Sequence, residues 1–519
     1  MNRIRVVAIL ILLVVAFCVF QAVISAEPQE LIEERTESAK FYPSENGIRG
    51  DFFTGPVHYK DIEGKWQEID QNVVDLTRVP KNDKNLKRFN IISDSPDGTL
   101  NETMGIYEDA KGNSKLYKSK WQLGELRNKF GFLAPERGNG AFAFILNDLE
   151  NIIFKPLGTK PVSGKKDGNI IAYADAWQGA SLEYFVGCTL VRKNIIISST
   201  AAPKKYQFSL KASGLTPQVN GRSLEFIGRD GQVKAYIPRP FMEDSEGIIS
   251  DDVVVDYVIA GNGNVHITYT PDQAWLADPS RRYPVILDPG TELEELSSAS
   301  AYVDEYDYDR KFGQDHPLYL RLGVYRGLFI SESRSWVLLD FNLSSLPKNT
   351  YIHSASISMH CYDAVGGKTN PHKANVVSFS KVWLQNTVTW ENASMPENRV
   401  DIEQNVDSYG ANLPNGEEAW TTPVNPSVIK SMVENPSKSI LIWTFDSDYY
   451  IRRFHSEEAA VDSTLKPRLT VYYSHVPEIK NVSVGHVCPD VPDYTALGVK
   501  DKLRYEISFD TTVPMAGSN

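Results

Sequence analysis

Apolar and polar residues alternate with a period of two along much of this chain. Tyr206, Phe208 and Leu210 are interleaved with Gln207, Ser209 and Lys211, the pattern of a strand with one buried face. Leu224 to Ile227 and Val233 to Ile237 flank Asp230-Gly231, and Val253 to Ile259 and Val265 to Tyr269 flank Gly261-Asn262-Gly263. Both read as hairpins, because Gly accepts the positive φ that tight turns demand. Further on, Trp336 to Phe341 reads as a strand, and Ile357, Met359 and Cys361 alternate with Ser356, Ser358 and His360. One short helix is predicted. Asn425 caps it, Pro426 suits its first position, Val428, Ile429, Met432 and Val433 form its apolar face, and Asn435-Pro436 ends it. The fold class expected is all-β: two antiparallel β-sandwich-like domains with few short helices.

Composition narrows the setting. Arg3 and Arg5 precede the apolar run Val6 to Val23, and Ser25-Ala26 precede Glu27-Pro28, the layout of a secretory signal peptide. The run is also long enough to suggest an uncleaved anchor; no other stretch could cross a membrane. The expected organisation is a signal over 1–26, an acidic spacer over 27–45, a β domain over 46–290, a second over 291–475 and a partial β extension over 476–519. Lys+Arg 54 against Asp+Glu 66 give −12, and loss of Arg3 and Arg5 would take this to −14. With no basic stripe, nucleic acid is not an expected partner. Beyond the signal, Cys188, Cys361 and Cys488 permit at most one disulfide.

Several stretches carry a resemblance. Gly55-Pro56-Val57-His58-Tyr59-Lys60-Asp61 with Gly64-Lys65-Trp66-Gln67-Glu68-Ile69-Asp70, Tyr173-Ala174-Asp175-Ala176-Trp177, and Trp275 to Pro279 with Tyr283 to Pro289 resemble the amino-terminal region of bacterial wall-associated YD-repeat surface proteins. Asp340 to Pro347, Ile352 to Met359, Val388-Thr389-Trp390-Glu391-Asn392 and Lys466 to Tyr473 resemble the DNRLRE domain, also classed as carbohydrate-binding module family 96. Arg453-Phe454-His455-Ser456-Glu457 stands as a degenerate form of the name-giving motif. The resemblance implies a secreted, surface-associated protein that binds extracellular or cell-wall polysaccharide. No YD repeats follow, so a delivery role is not implied; a further expectation is the structural or adhesive front portion of a longer surface protein.

The residues themselves offer little catalytic signal. His-Glu-x-x-His, Gly-x-Ser-x-Gly and the Walker loop are missing, and the nine histidines are scattered. A non-catalytic protein is expected, with a polysaccharide lyase or hydrolase of scattered active-site residues as the alternative. Sugar rings need flat apolar faces, so Tyr306, Tyr308, Trp383, Trp420, Tyr449 and Tyr450 are the candidate carbohydrate contacts, whereas Trp390 and Trp443 sit where a ring fills a core. Asp304, Asp307 and Asp309 are candidate calcium ligands, as clustered hard oxygens, although their spacing is not that of an EF-hand. Asp446 and Asp448 form a second acidic pair.

Overall fold

A computed structural model describes residues 28–80, 83–89, 92–93, 103–108, 114–119, 121–260, 263–288, 291–293, 299–327, 330–366, 372–380, 382–393, 411–414, 416–444, 449–459, 462–475, 479–487 and 502–509. The expected signal peptide, Asp446, Asp448 and Cys488 lie outside these residues. Among the described residues no helix is long and apolar enough to cross a membrane. The chain is mostly strand, in several antiparallel sheets with a few short helices.

The first unit is a sandwich. One sheet has eight strands and contains Tyr206–Ser213 between Asn151–Pro156 and Asn264–Pro271; the other has eleven and centres on Ile170–Trp177, Ala180–Val186 and Leu190–Ile197. Their inner faces meet ring to ring: Phe142 lies 4.3 Å from Tyr184 and packs edge-on against Tyr173 at 5.5 Å. Such pairs add to the burial of large apolar area. The predicted hairpins are present, with Leu224 opposite Ile237 and Ile259 opposite Val265. Gly231 adopts φ +79° and Gly263 φ +76°, as the turns require.

The second unit is built on one 12-stranded sheet. Its strands are labelled β1 (Ala39–Ser44), β2 (Gly47–Phe53), β3 (Ala299–Asp304), β4 (Tyr319–Gly327), β5 (Ile330–Asp340), β6 (Thr350–Gly366), β7 (Lys373–Phe379), β8 (Glu418–Val424), β9 (Ser439–Trp443), β10 (Tyr450–His455) and β11 (Arg468–His475). The order is β1-β2-β11-β6-β10-β4-β5-β9-β7, then residues 411–412, with β3 on β5 and β8 on β6. Helix α1 (Pro426–Glu434) forms as predicted: the Asn425 side chain accepts from the Ser427 amide, and Val428, Ile429 and Met432 are buried.

Two domain boundaries move. The spacer expected over 27–45 contains β1, and the hairpin β1–β2 belongs to the second unit, not the first. Ala39, Phe41 and Phe52 enter that unit's core, and β2 pairs with β11 from Ile48 opposite Tyr473 to Phe53 opposite Arg468. Burying two phenylalanines outweighs the acidic flank that suggested a spacer. At the other boundary Thr291–Glu292 pairs with Leu190–Val191 and Glu292–Leu293 with Ala235–Tyr236, so this strand completes the first unit's sheet.

The two units are pinned by the loop after β10. Glu457 and Glu458 are both buried. Glu457 accepts from Thr54 at 3.2 Å, from Gln385 at 3.3 Å and from the Ser300 hydroxyl. Glu458 accepts from the Thr189 amide at 3.1 Å and from the Cys188 thiol at 3.2 Å. Burial and the neighbouring Glu458 push the Glu457 carboxyl up to about 7. Cys188 and Cys361 are free and buried.

Candidate carbohydrate-binding surface

At its carboxyl end β3 runs into an acidic, tyrosine-containing loop, and Asp304 fixes where that loop goes. Its carboxylate accepts from the Tyr306 amide at 3.1 Å, from Ser333 at 3.0 Å, from Ser335 at 2.6 Å and from Arg321 at 2.5 Å. A buried carboxylate is tolerated because cation and hydroxyls satisfy it together. The chain then projects Tyr306 and Tyr308, which are 57% and 55% exposed. Tyr308 is held from behind, its carbonyl accepting from the Glu391 amide at 2.9 Å.

The three candidate calcium ligands of this loop differ in their surroundings. Asp304 is buried, with one oxygen on Arg321 and the other accepting from the loop's own Tyr306 and Asp307 amides. Asp307 is half-buried, and burial pushes its carboxyl up against the pull of Arg310; Asp309 is exposed. Among the described residues their oxygens do not all lie within 4.8 Å of one another. Among the described residues the one group of three metal-type ligands within 4.8 Å is Glu30, His58 and Glu68. Cations of the protein already occupy it: Arg35 bonds Glu30 at 2.7 Å and Glu68 at 3.0 Å, and Lys40 bonds Glu68 at 2.9 Å. Burial holds the His58 imidazole down to about 4, with Arg35 and Lys40 adding to the effect.

The six aromatic candidates separate. Trp420 is 4% exposed, packs against Phe454 at 5.8 Å and donates to the Asn412 carbonyl at 2.9 Å. Tyr450 is fully buried and stacks on His372 at 3.8 Å. Both are core residues and present no ring to a ligand, because their positions on β8 and β10 face the interior. Trp390 and Trp443 are buried, as expected. Tyr449 is 37% exposed and immediately precedes β10. Trp383 is half-buried, its indole nitrogen donating to Ser439 at 2.8 Å.

Trp383 nevertheless marks the partner of the tyrosine loop. Its neighbours Val382 and Leu384 are 69% and 61% exposed, while Gln385 turns back into the junction to donate to Glu457. Gly313 lies so close to the Gln385 carbonyl that any Cβ would collide with it. The segment following β3 and the segment following β7 therefore pack together; the first exposes Tyr306 and Tyr308, the second Val382 and Leu384. The two aliphatic residues escaped the sequence reading because nothing in Val-Trp-Leu says which of the three points outward.

Residues 293–473 match carbohydrate-binding module family 96. Over 286 residues, 53% of this chain, the sequence is 25% identical to "tRNA nuclease WapA" of Bacillus subtilis and, over the same share, to "tRNA3(Ser)-specific nuclease WapA" of Bacillus spizizenii. The matched stretch is 11% of each relative's length, so this chain spans about a tenth of them. Among solved structures, the N-terminal domain of the Streptococcus gordonii adhesin Sgo0707 aligns over 82% of this chain and 94% of its own, at 9% identity and a TM-score of 0.14, too low to carry an argument.

Proposed function

We propose that this chain is a secreted, non-catalytic protein that holds extracellular or cell-wall polysaccharide through its second unit, with the first as a rigid presenting body. One observation carries the reading: two tyrosines stand more than half exposed on a braced loop inside the segment that matches a carbohydrate-binding family. Exposed rings at fixed positions lose little entropy on contact, which suits stacking on the C–H faces of sugars. On this reading the nuclease activity in the relatives' names belongs to parts of those proteins outside the stretch this chain resembles.

The test is co-sedimentation of the full chain with insoluble polysaccharides and purified cell walls. Retention on at least one polymer is expected. Tyr306→Ala with Tyr308→Ala is expected to weaken it about tenfold, as loss of exposed aromatic anchors does. A folded protein retained by no polymer overturns the proposal. New reducing ends or unsaturated products in the same mixtures would replace it with the lyase or hydrolase reading.

A further inference from the structure

The first unit's two sheets run between four end strands, and three of these are blunted. Val74–Asp75 has two residues, Lys165–Asp167 has three, two of them lysine, and Thr216–Asn220 contains Pro217. Short length, lysine and proline are devices that keep a sheet edge from recruiting other strands. The fourth end strand, Val253–Ile259, has neither lysine nor proline. It is seven residues long, reads Val-Val-Val-Asp-Tyr-Val-Ile, and among the described residues pairs only with Asn264–Pro271.

The register shows which backbone groups of this strand are free. The Ala260 amide donates to the Asn264 carbonyl at 2.9 Å, and bonded positions of an antiparallel pair recur every second residue. Val254, Asp256 and Val258, opposite Thr270, Thr268 and His266, therefore turn their amides and carbonyls to the neighbouring strand. Those of Val255, Tyr257 and Ile259 point away from the sheet. Arg222 agrees with this parity, donating to the outward carbonyl of Val253 at 2.6 Å and so covering the strand's first residue. Side chains divide by face. Val255 and Tyr257 pack on the core, whereas Val254 and Val258 stand 68% and 55% exposed, with exposed Asp256 between them. Among the described residues no cation pairs with Asp256.

We propose that residues 255–259 are an open docking edge for an extended segment of another polypeptide, one that carries a basic residue between apolar residues at alternate positions. Only an extended strand presents amides and carbonyls at the spacing of these outward groups. Asp256 falls between the new hydrogen-bonded pairs, where side chains of facing strands come closest, so a lysine or arginine opposite it is favoured. The same residue disfavours a second copy of this chain. Two such edges use all their outward groups only with one Tyr257 opposite the other, which sets the two Asp256 carboxylates diagonally across the seam, and each chain carries −12. The edge lies in the first unit and is independent of the carbohydrate-binding reading.

The test is fluorescence anisotropy of a labelled peptide, Thr-Thr-Val-Lys-Val-Thr-Thr, titrated with the full chain, beside the same peptide with glutamate in place of lysine. The lysine peptide is expected to bind about fivefold tighter than the glutamate peptide, and Asp256→Lys to reverse the order. Val255→Pro removes an outward amide that the fold does not use; it is expected to weaken binding about tenfold with an unchanged thermal melt. Val255→Thr, which keeps the amide, stays within about twofold of wild type. Should the proline variant melt early, Asp256→Lys, at an exposed position, still decides. A folded chain that binds neither peptide overturns the docking edge, and an order that survives Asp256→Lys overturns the partner class. A wild-type dimer in sedimentation that Val255→Pro converts to monomer would seat a second copy on the edge and overturn the proposal.

Discussion

Glu457 is a carboxylic acid kept from ionising by its surroundings, and that has a consequence for stability. Its folded value of about 7 lies above the ordinary 4.5, so the folded protein binds the proton more tightly than the unfolded chain does. The stabilisation is complete below about pH 4.5 and is lost as pH rises to 7, on the order of 3 kcal/mol in all. Glu457→Gln keeps an uncharged side chain at the junction and is expected to flatten this part of the stability curve. Thermal melts of both proteins at intervals between pH 5 and 8 would check it; parallel curves would show that another group sets the slope. Side-chain fates at this scale were only partly legible. Exposure of Tyr306 and Tyr308 follows from a loop crowded with acids and turns. Adjacent Tyr449 and Tyr450 look alike in sequence, yet the first is 37% exposed and the second fully buried. Strand alternation forces them apart, but which one turns inward depends on the strand they pair with.

Elements whose determinants are local could be read directly. Helix α1 carries its cap, its first-turn proline and its apolar face within a dozen residues, and the hairpins around Gly231 and Gly263 carry their turns with them. The hairpin β1–β2 could not be placed, because its partner β11 lies more than 400 residues away and period-two alternation does not name a partner. Its contribution is nonetheless large. Phe52 is fully buried and packs edge-on against Phe41 at 5.7 Å. Phe52→Ala is expected to cost about 3–5 kcal/mol, read from chemical denaturation followed by tryptophan fluorescence. A loss below 1 kcal/mol would mean that the hairpin is only loosely docked. The missed aspartate role has a similar origin: Asp304 and Arg321 are 17 residues apart, and only the pairing of β3, β4 and β5 brings them together.

At the scale of the whole molecule, the units are joined twice, by the buried glutamates and by the hairpin that leaves the first segment to complete the second unit's sheet. The hairpin also determines how the protein answers a pull. The chain enters the sheet at Ala39, beside Phe52 and so at the Leu469 end of β11, and it leaves β11 at His475, beyond the place where Ile48 meets Tyr473. Entry and exit lie at opposite ends of one three-strand ribbon. Tension along the backbone must slide β1 and β11 past β2, loading every cross-strand hydrogen bond together instead of unzipping them singly. Pulled by handles at Pro28 and Lys480 in an optical trap, the molecule is expected to hold its length until one high-force rupture, and only then release residues 54–467; gradual lengthening at low force would contradict this. The ribbon thus acts as a mechanical fuse: load applied along the backbone is carried there, and the rest of both units stays folded until it breaks.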